Sequence, residues 1–129
     1  MKKKVIFYRC NVCGNVIVKL TDSGLTPQCC GRDMVELISG VEEATKEKHI
    51  PEYARYGDRV YVKVGSELHP SEKMHHIEWI LLETDRGFQI THLDPLEAPK
   101  TVFSLEDGEK PIAVFAYCNL HKLWEAKFI

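Results

Sequence analysis

The segment Cys118-Asn119-Leu120-His121 puts a thiol and an imidazole at the end of the apolar run Ile112 to Tyr117 and just before Leu123-Trp124. At the end of a strand both side chains can turn toward one point in space. Further imidazoles lie upstream: His49 in Glu47-Lys48-His49-Ile50-Pro51, His69 in His69-Pro70, and His75 in His75-His76-Ile77-Glu78-Trp79. Four imidazoles and one thiolate form a five-coordinate set with one position open. Zinc rarely takes such a set, whereas a redox metal with imidazole and thiolate ligands points to iron. With neutral imidazoles, ferrous iron there carries a single net positive charge and attracts a small anion. The thiolate pushes electron density onto the iron and favours reduction of bound oxygen species. Lys48, beside His49, adds positive charge that steers an anion, although a lysine there is equally a solvated surface residue. Taken singly, each histidine is more simply a surface or structural residue, and His76 and His92 stay under that reading.

Cys10-Asn11-Val12-Cys13 and the adjacent pair Cys29-Cys30 supply a second set of four thiols. This is the donor set of a tetrahedral zinc or iron site. An anonymous four-cysteine site favours zinc. The adjacent pair cuts against that, because a zinc ribbon wraps its metal with two Cys-x-x-Cys turns. The surrounding segment is poor in large apolar residues, so a metal staple suits it. Five cysteines is an odd count, which fits disulfide pairing poorly and a reducing compartment well.

These residues need elements to position them. Strands are expected over 5–9, 15–20 and 33–38, with turn chemistry at Thr21-Asp22-Ser23-Gly24. Gly40 is a plausible boundary. Beyond it, about seven short strands are expected: 41–48, 60–64, 77–83, 88–92, 101–105, 112–117 and 123–129. Turn signals such as Asp85-Arg86-Gly87 and Asp107-Gly108 separate them. The pattern is that of an all-β, immunoglobulin-type sandwich. His49, two residues before Pro51, marks a strand end, and 69–75 is a loop. The 129 residues are ordinary in composition, with 17 basic against 19 acidic side chains, so nucleic acid binding has no electrostatic support. Met1-Lys2-Lys3-Lys4 is followed by too short an apolar run for a secretory signal, and no stretch is long enough to span a membrane. The expectation is a cytoplasmic protein.

Together these motifs resemble the desulfoferrodoxins, two-iron superoxide reductases, over essentially the whole chain. The resemblance rests on the four-cysteine module, Glu47-Lys48-His49-x-Pro51, His69-Pro70, His75-x-Ile77-x-Trp79 and Cys118-Asn119-x-His121-x-Leu123-Trp124. It implies a desulforedoxin-like domain over 1–38 with an Fe(Cys)4 centre held by Cys10, Cys13, Cys29 and Cys30. It implies an immunoglobulin-like domain over 39–129 with an Fe(His)4(Cys) centre. There His49, His69, His75 and His121 are equatorial and Cys118 is axial. Glu47 is implied as the ligand of the oxidised iron at the sixth position, and Lys48 as the residue that steers superoxide. A homodimer, a rubredoxin-like electron donor and the cytoplasm of anaerobes and microaerophiles are implied as well. Two positions depart from the family pattern: Lys122 where glycine is usual, and Ser71 where methionine is frequent. The competing readings are an iron electron carrier without an open site, and a zinc-stapled interaction module.

Overall fold

The computed structural model describes residues 5–40, 46–65 and 68–129, leaving aside the side chains of Lys46 and Glu47. The basic start, Met1 to Lys4, lies outside the described residues. The chain divides into two compact units, Met1–Ile38 and Ser39–Ile129.

The first unit is built from very short strands. β1 (Phe7–Arg9) lies between β2 (Val16–Val18) and β5 (Val35–Glu36), and β3 (Gln28–Cys29) pairs with β4 (Arg32–Asp33) as a separate hairpin. Phe7, Cys10 and Met34 are its buried apolar residues, while Val12, Leu20, Leu25 and Val35 are exposed. So small a core contributes only a few kcal/mol (about 1.5–3 for each fully buried large side chain). Tight turns supply the rest of the order. Gly14 N donates to Cys10 O at 2.9 Å, and Cys10 N donates to Asn15 O at 2.8 Å.

Among the described residues, the second unit is a sandwich of seven strands. One sheet has the order β10-β7-β6 (Lys100–Ser104, Arg59–Val64, Pro51–Tyr56). The other has the order β12-β11-β8-β9 (Lys122–Lys127, Pro111–Cys118, Ile77–Thr84, Gly87–His92). All pairings are antiparallel. Val60, Val62 and Val64 alternate inward from β7 and meet Ile80 and Leu82 from β8, Phe103 from β10, and Val114, Ala116 and Cys118 from β11. β8 and β11 are central and buried on both faces. On the face of their sheet away from this core, Trp79 and Tyr117 stack with ring centroids 5.4 Å apart.

The structure corrects one strand. A charged strand is expected over 41–48, but residues 46–48 belong to a helical turn, α1 (Lys46–His49), and residues 41–45 lie outside the described residues. The seventh strand is instead β6, which opens on Pro51. Proline is tolerated at a first strand position because its missing N–H costs no ladder bond there. β6 is an edge strand with only Pro51 buried, so its sequence lacks a clear apolar alternation. His49 therefore ends a helical turn ahead of a strand, and does not end a strand. The 69–75 segment is a loop, as expected, closed by mutual backbone hydrogen bonds between Glu72 and His75 at 2.9 and 3.1 Å.

Lys122 opens β12 with φ 62°, the left-handed region, at the close of the hairpin that carries Cys118 and His121. A side chain there costs about 1 kcal/mol or more, while glycine loses about 0.5–1 kcal/mol through chain entropy. Lys122→Gly should therefore leave stability equal or raise it by up to about 1 kcal/mol in urea titration, with metal content unchanged. Lys122→Val should lower it, because a β-branched side chain is a poor fit to positive φ. Loss of metal from the histidine cluster in Lys122→Gly would show that the lysine itself holds the turn.

Candidate metal centres

Five of the second unit's chain segments end or begin at one end of the sandwich, and each delivers one donor. His49 ends α1 and is buried, with Pro51 starting β6 immediately beyond Ile50. His69 follows β7 and is 2% exposed; its N donates to Val64 O at 3.1 Å. His75 closes the loop before β8. Cys118, fully buried, is the last residue of β11, and His121 lies in the three-residue link to β12.

The four imidazoles form a closed ring. Centroid separations run 4.6 Å from His49 to His69, 4.6 Å from His69 to His75, 5.2 Å from His75 to His121, and 4.9 Å from His121 back to His49. Adjacent planes stand nearly perpendicular, and the diagonal pair His49 and His75 is 6.2 Å apart. The nitrogens point inward: His49 Nε2 is 3.2 Å from His69 Nε2 and 3.1 Å from His121 Nδ1. Nitrogens bound about 2.1 Å from a common metal at right angles are about 3 Å apart. Cys118 Sγ lies 3.8 Å from His121 Nδ1. The ligand atoms of His49, His75, Cys118 and His121 all fall within 4.8 Å of one another.

Second contacts fix which nitrogen faces the centre. His69 Nδ1 is 2.8 Å from Pro70 O, which only accepts, so Nδ1 carries the proton and Nε2 offers its lone pair. Trp124 Nε1 donates to His121 O at 3.0 Å, and the Trp124 ring packs 5.0 Å from His49. His75 Nε2 is buried and makes no hydrogen bond. A buried donor or acceptor without a partner is costly, and a metal ion at the ring centre would satisfy it. The residues present therefore fit a metal with four nitrogens and one sulfur.

Asn119 is the organising residue that motif reading leaves without a role. Its Oδ1 accepts from His76 N at 2.9 Å, its Nδ2 donates to Met74 O at 3.0 Å, and its own N donates to His76 O at 3.1 Å. It ties the Cys118–His121 link to the His75 segment. An asparagine between a donor cysteine and a donor histidine was the available signal. Of the remaining histidines, His76 turns its Nδ1 to Glu72 O, and His92 is exposed on β9.

Electrostatics agree with a site built for a cation. Burial pushes the Cys118 thiol up, the backbone N–H groups of His121 and Leu120 act against it, and the charge of Glu78 raises it further. Burial lowers His69 to about 4. Burial also lowers His75, with the positive potential of neighbours that include His121 and Lys48 acting in the same direction. Lys48 is half-buried. The side chain of Glu47 lies outside the described residues.

In the first unit, Cys10, Cys13, Cys29 and Cys30 also converge within 4.8 Å. Cys13 Sγ is 3.6 Å and Cys30 Sγ 3.9 Å from Cys29 Sγ. A tetrahedral metal with bonds of about 2.3 Å requires sulfur–sulfur edges of about 3.8 Å. The adjacent cysteines reach this geometry because Cys30 and Gly31 are both left-handed, with φ 54° and 70°. Backbone N–H groups of Cys13 and Val12 lower Cys10 to about 6, while contacts with Cys13 and Cys10 push Cys30 up to about 12. All five cysteines are free. The four cysteines of the first unit thus form one group, and His49, His75, Cys118 and His121 the other, with His69 joined to the second through its Nε2, 3.2 Å from His49 Nε2.

The buried histidines make the metal-free sandwich acid-sensitive. An unfolded histidine titrates near 6.5, and burial holds His69 well below that in the fold. Their contribution is fully present above about pH 6.5 and is lost as pH falls through about 4. Urea midpoints of metal-free protein should drop across that window and stay level from pH 7 to 8. A flat profile from pH 7 to 4 would mean the cluster is not buried as described.

The comparisons with known proteins agree over the whole chain. The family model described as Desulfoferrodoxin matches residues 41–127, and that described as Desulfoferrodoxin, N-terminal domain, matches residues 2–37. A desulfoferrodoxin from Syntrophotalea carbinolica is 39% identical over 127 residues, covering 98% of this chain and 99% of that protein. The crystal structure of the superoxide reductase from Treponema pallidum is similar with a TM-score of 0.82 and 30% identity, covering 97% of this chain and all of the other. A one-iron superoxide reductase from Giardia intestinalis is 32% identical with a TM-score of 0.55, over 64% of this chain and 98% of its own. With both halves matched by family models and both clusters of donors assembled, the chain belongs to the desulfoferrodoxin family.

Proposed function

We propose that the protein is a superoxide reductase that converts superoxide, one electron and two protons to hydrogen peroxide. The observation that carries this reading is the ring of inward-facing imidazoles with the buried thiol of Cys118 beside it. His49, His69, His75, His121 and Cys118 would hold iron there, and Cys10, Cys13, Cys29 and Cys30 a second iron. Ferrous iron at the histidine centre supplies the single electron, and its thiolate ligand favours giving that electron to an oxygen species. No second superoxide is oxidised, so the reaction is not dismutation.

The chain's own residues do the rest. His69 is held in one tautomer by Pro70, and His121 is held by Trp124, so the donors are in place before the anion arrives. Lys48 is assigned to steering: it is half-buried and its positive charge is felt at His75. A cation beside a cationic site raises the encounter rate of a small anion, and salt screens that effect. Glu47, two residues before His49, would offer its carboxylate as a further ligand to the oxidised metal. A rubredoxin-like donor is assigned to re-reduction, with the four-cysteine iron as a store or relay.

Five free cysteines suit a reducing compartment, so we place the reaction in the cytoplasm. Among the described residues, no helix is long and apolar enough to cross a membrane. The homodimer is assigned to the outer face of the β6-β7-β10 sheet. There Ala54, Tyr61 and Val102 form one apolar row, and Glu52, Lys63 and Lys100 the next. They line a groove of about 590 Å³. A two-fold axis running along β7 sets the acidic edge of each copy over the basic edge of the other.

Metal analysis of anaerobically prepared protein should give two irons per chain, with a ferric–thiolate band that bleaches on reduction and returns on adding superoxide. Peroxide should form without dioxygen. Zinc at the cysteines with iron at the histidines would keep the enzyme and reduce the first centre to a staple. Absence of iron at the histidines would favour an interaction module instead. Lys48→Ile should slow the reaction with superoxide at low salt about tenfold and flatten its salt dependence; an unchanged rate at low ionic strength removes Lys48 from the mechanism. Tyr61→Glu should convert a dimer to monomers in sedimentation, and a dimer that survives it places the interface elsewhere.

A further inference from the structure

β8 holds one residue more than its neighbour at the metal end of the sandwich. Trp79 sits opposite Tyr117, yet Cys118 sits opposite Ile77, so Glu78 has no partner residue on β11. This is the two-against-one arrangement of a β-bulge, which bends a strand and re-aims a side chain. Ile77 and Trp79 on either side are buried, at 2% and 7% exposure, and Glu78 between them is half-buried. Its backbone carbonyl accepts from Leu93 N at 2.9 Å. Among the described residues, no hydrogen bond or ion pair neutralises its carboxylate. A half-buried carboxylate without a partner thus sits on the strand that pairs with Cys118, between Ile77, which lies opposite Cys118, and Trp79, which lies opposite Tyr117. A negative charge beside a metal–thiolate unit favours the more positive, oxidised metal and strengthens the ligand as a donor.

We propose that Glu78 is a positioning residue of the histidine–cysteine centre, acting through the Cys118 thiolate to hold bound iron at a potential low enough to give its electron to superoxide. The inference rests on the superoxide reductase reading for its purpose, but its measurement needs no superoxide. Lys48 and Glu78 then divide the electrostatic work. Lys48 governs how fast the anion arrives, and Glu78 governs how readily the electron leaves.

The test uses the full chain loaded with iron, with Glu78→Gln and Glu78→Asp beside the wild type. Glu78→Gln should shift the oxidised-to-reduced equilibrium about tenfold toward the ferrous form, a rise of about 59 mV for one electron. Its ferric–thiolate band should move to higher energy, because loss of a negative charge acting through the thiolate lowers the energy of the sulfur donor orbitals. Glu78→Asp should keep the wild-type potential and band. The salt dependence of the superoxide reaction should be unchanged in both. An unaltered potential and band in iron-loaded Glu78→Gln overturns the proposal. So does loss of iron from that variant, which would make the residue structural. A wild type that holds iron but does not reduce superoxide sinks the reductase reading, and leaves the potential measurement to stand or fall by itself.

Discussion

Four imidazole lone pairs turned toward one point repel one another unless a cation stands between them. His49, His69 and His121 bring nitrogens to 3.1–3.2 Å, and His75 Nε2 is buried beside them with no partner. The rest of the sandwich acts to hold this costly arrangement. Cys118 is the last inward residue of a core row that includes Val114 and Ala116, so the thiol is as fixed as the core itself. Its burial would penalise a bare thiolate, and the backbone N–H groups of His121 and Leu120 offset part of that penalty. Metal binding releases the thiol proton and removes the repulsion, which is why such a site couples metal affinity to folding.

The two clusters solve the same problem with different means. In the sandwich, a large core carries the stability and the donors lie at its end. In the first unit there is little core, with Phe7, Cys10 and Met34 buried and many apolar residues exposed. Its four thiols are positioned by the short β3-β4 hairpin that carries Cys29 and by tight turns, through Gly14 and the left-handed pair Cys30 and Gly31. Here the metal holds the fold as much as the fold holds the metal. In the sandwich, backbone irregularity is spent at the functional end: Lys122 at positive φ and the bulge at Glu78 both flank Cys118. Irregularities of this kind persist where regular ladder geometry on either side over-determines them.

Charge is arranged on the same plan. The donor set with ferrous iron is cationic by one unit. Lys48, assigned to attracting an anion, follows Glu47 in α1, while Glu78 lies on β8, the strand that pairs with the one bearing Cys118. Because burial keeps His69 and His75 neutral near pH 7, the imidazoles present lone pairs and do not compete with the metal as cations.

The donors were legible in the sequence because chemistry restricts them to few residue types, and the spacing Cys118-x-x-His121 fits a single strand-to-strand link. The strong alternation of Val60, Val62 and Val64 and the doubly apolar runs around Ile80 and Val114 likewise announced their strands. β6 escaped because an edge strand with one buried residue has no period to read, and α1 escaped because a single helical turn leaves no periodic trace. Tertiary structure alone decided which imidazole nitrogen faces inward, since that depends on Pro70 O and on how the loops close. It also decided that Asn119 clamps the two donor segments and that Glu78 bulges beside Cys118. Register between strands distant in sequence sets those contacts, and a chain read one residue at a time carries no register.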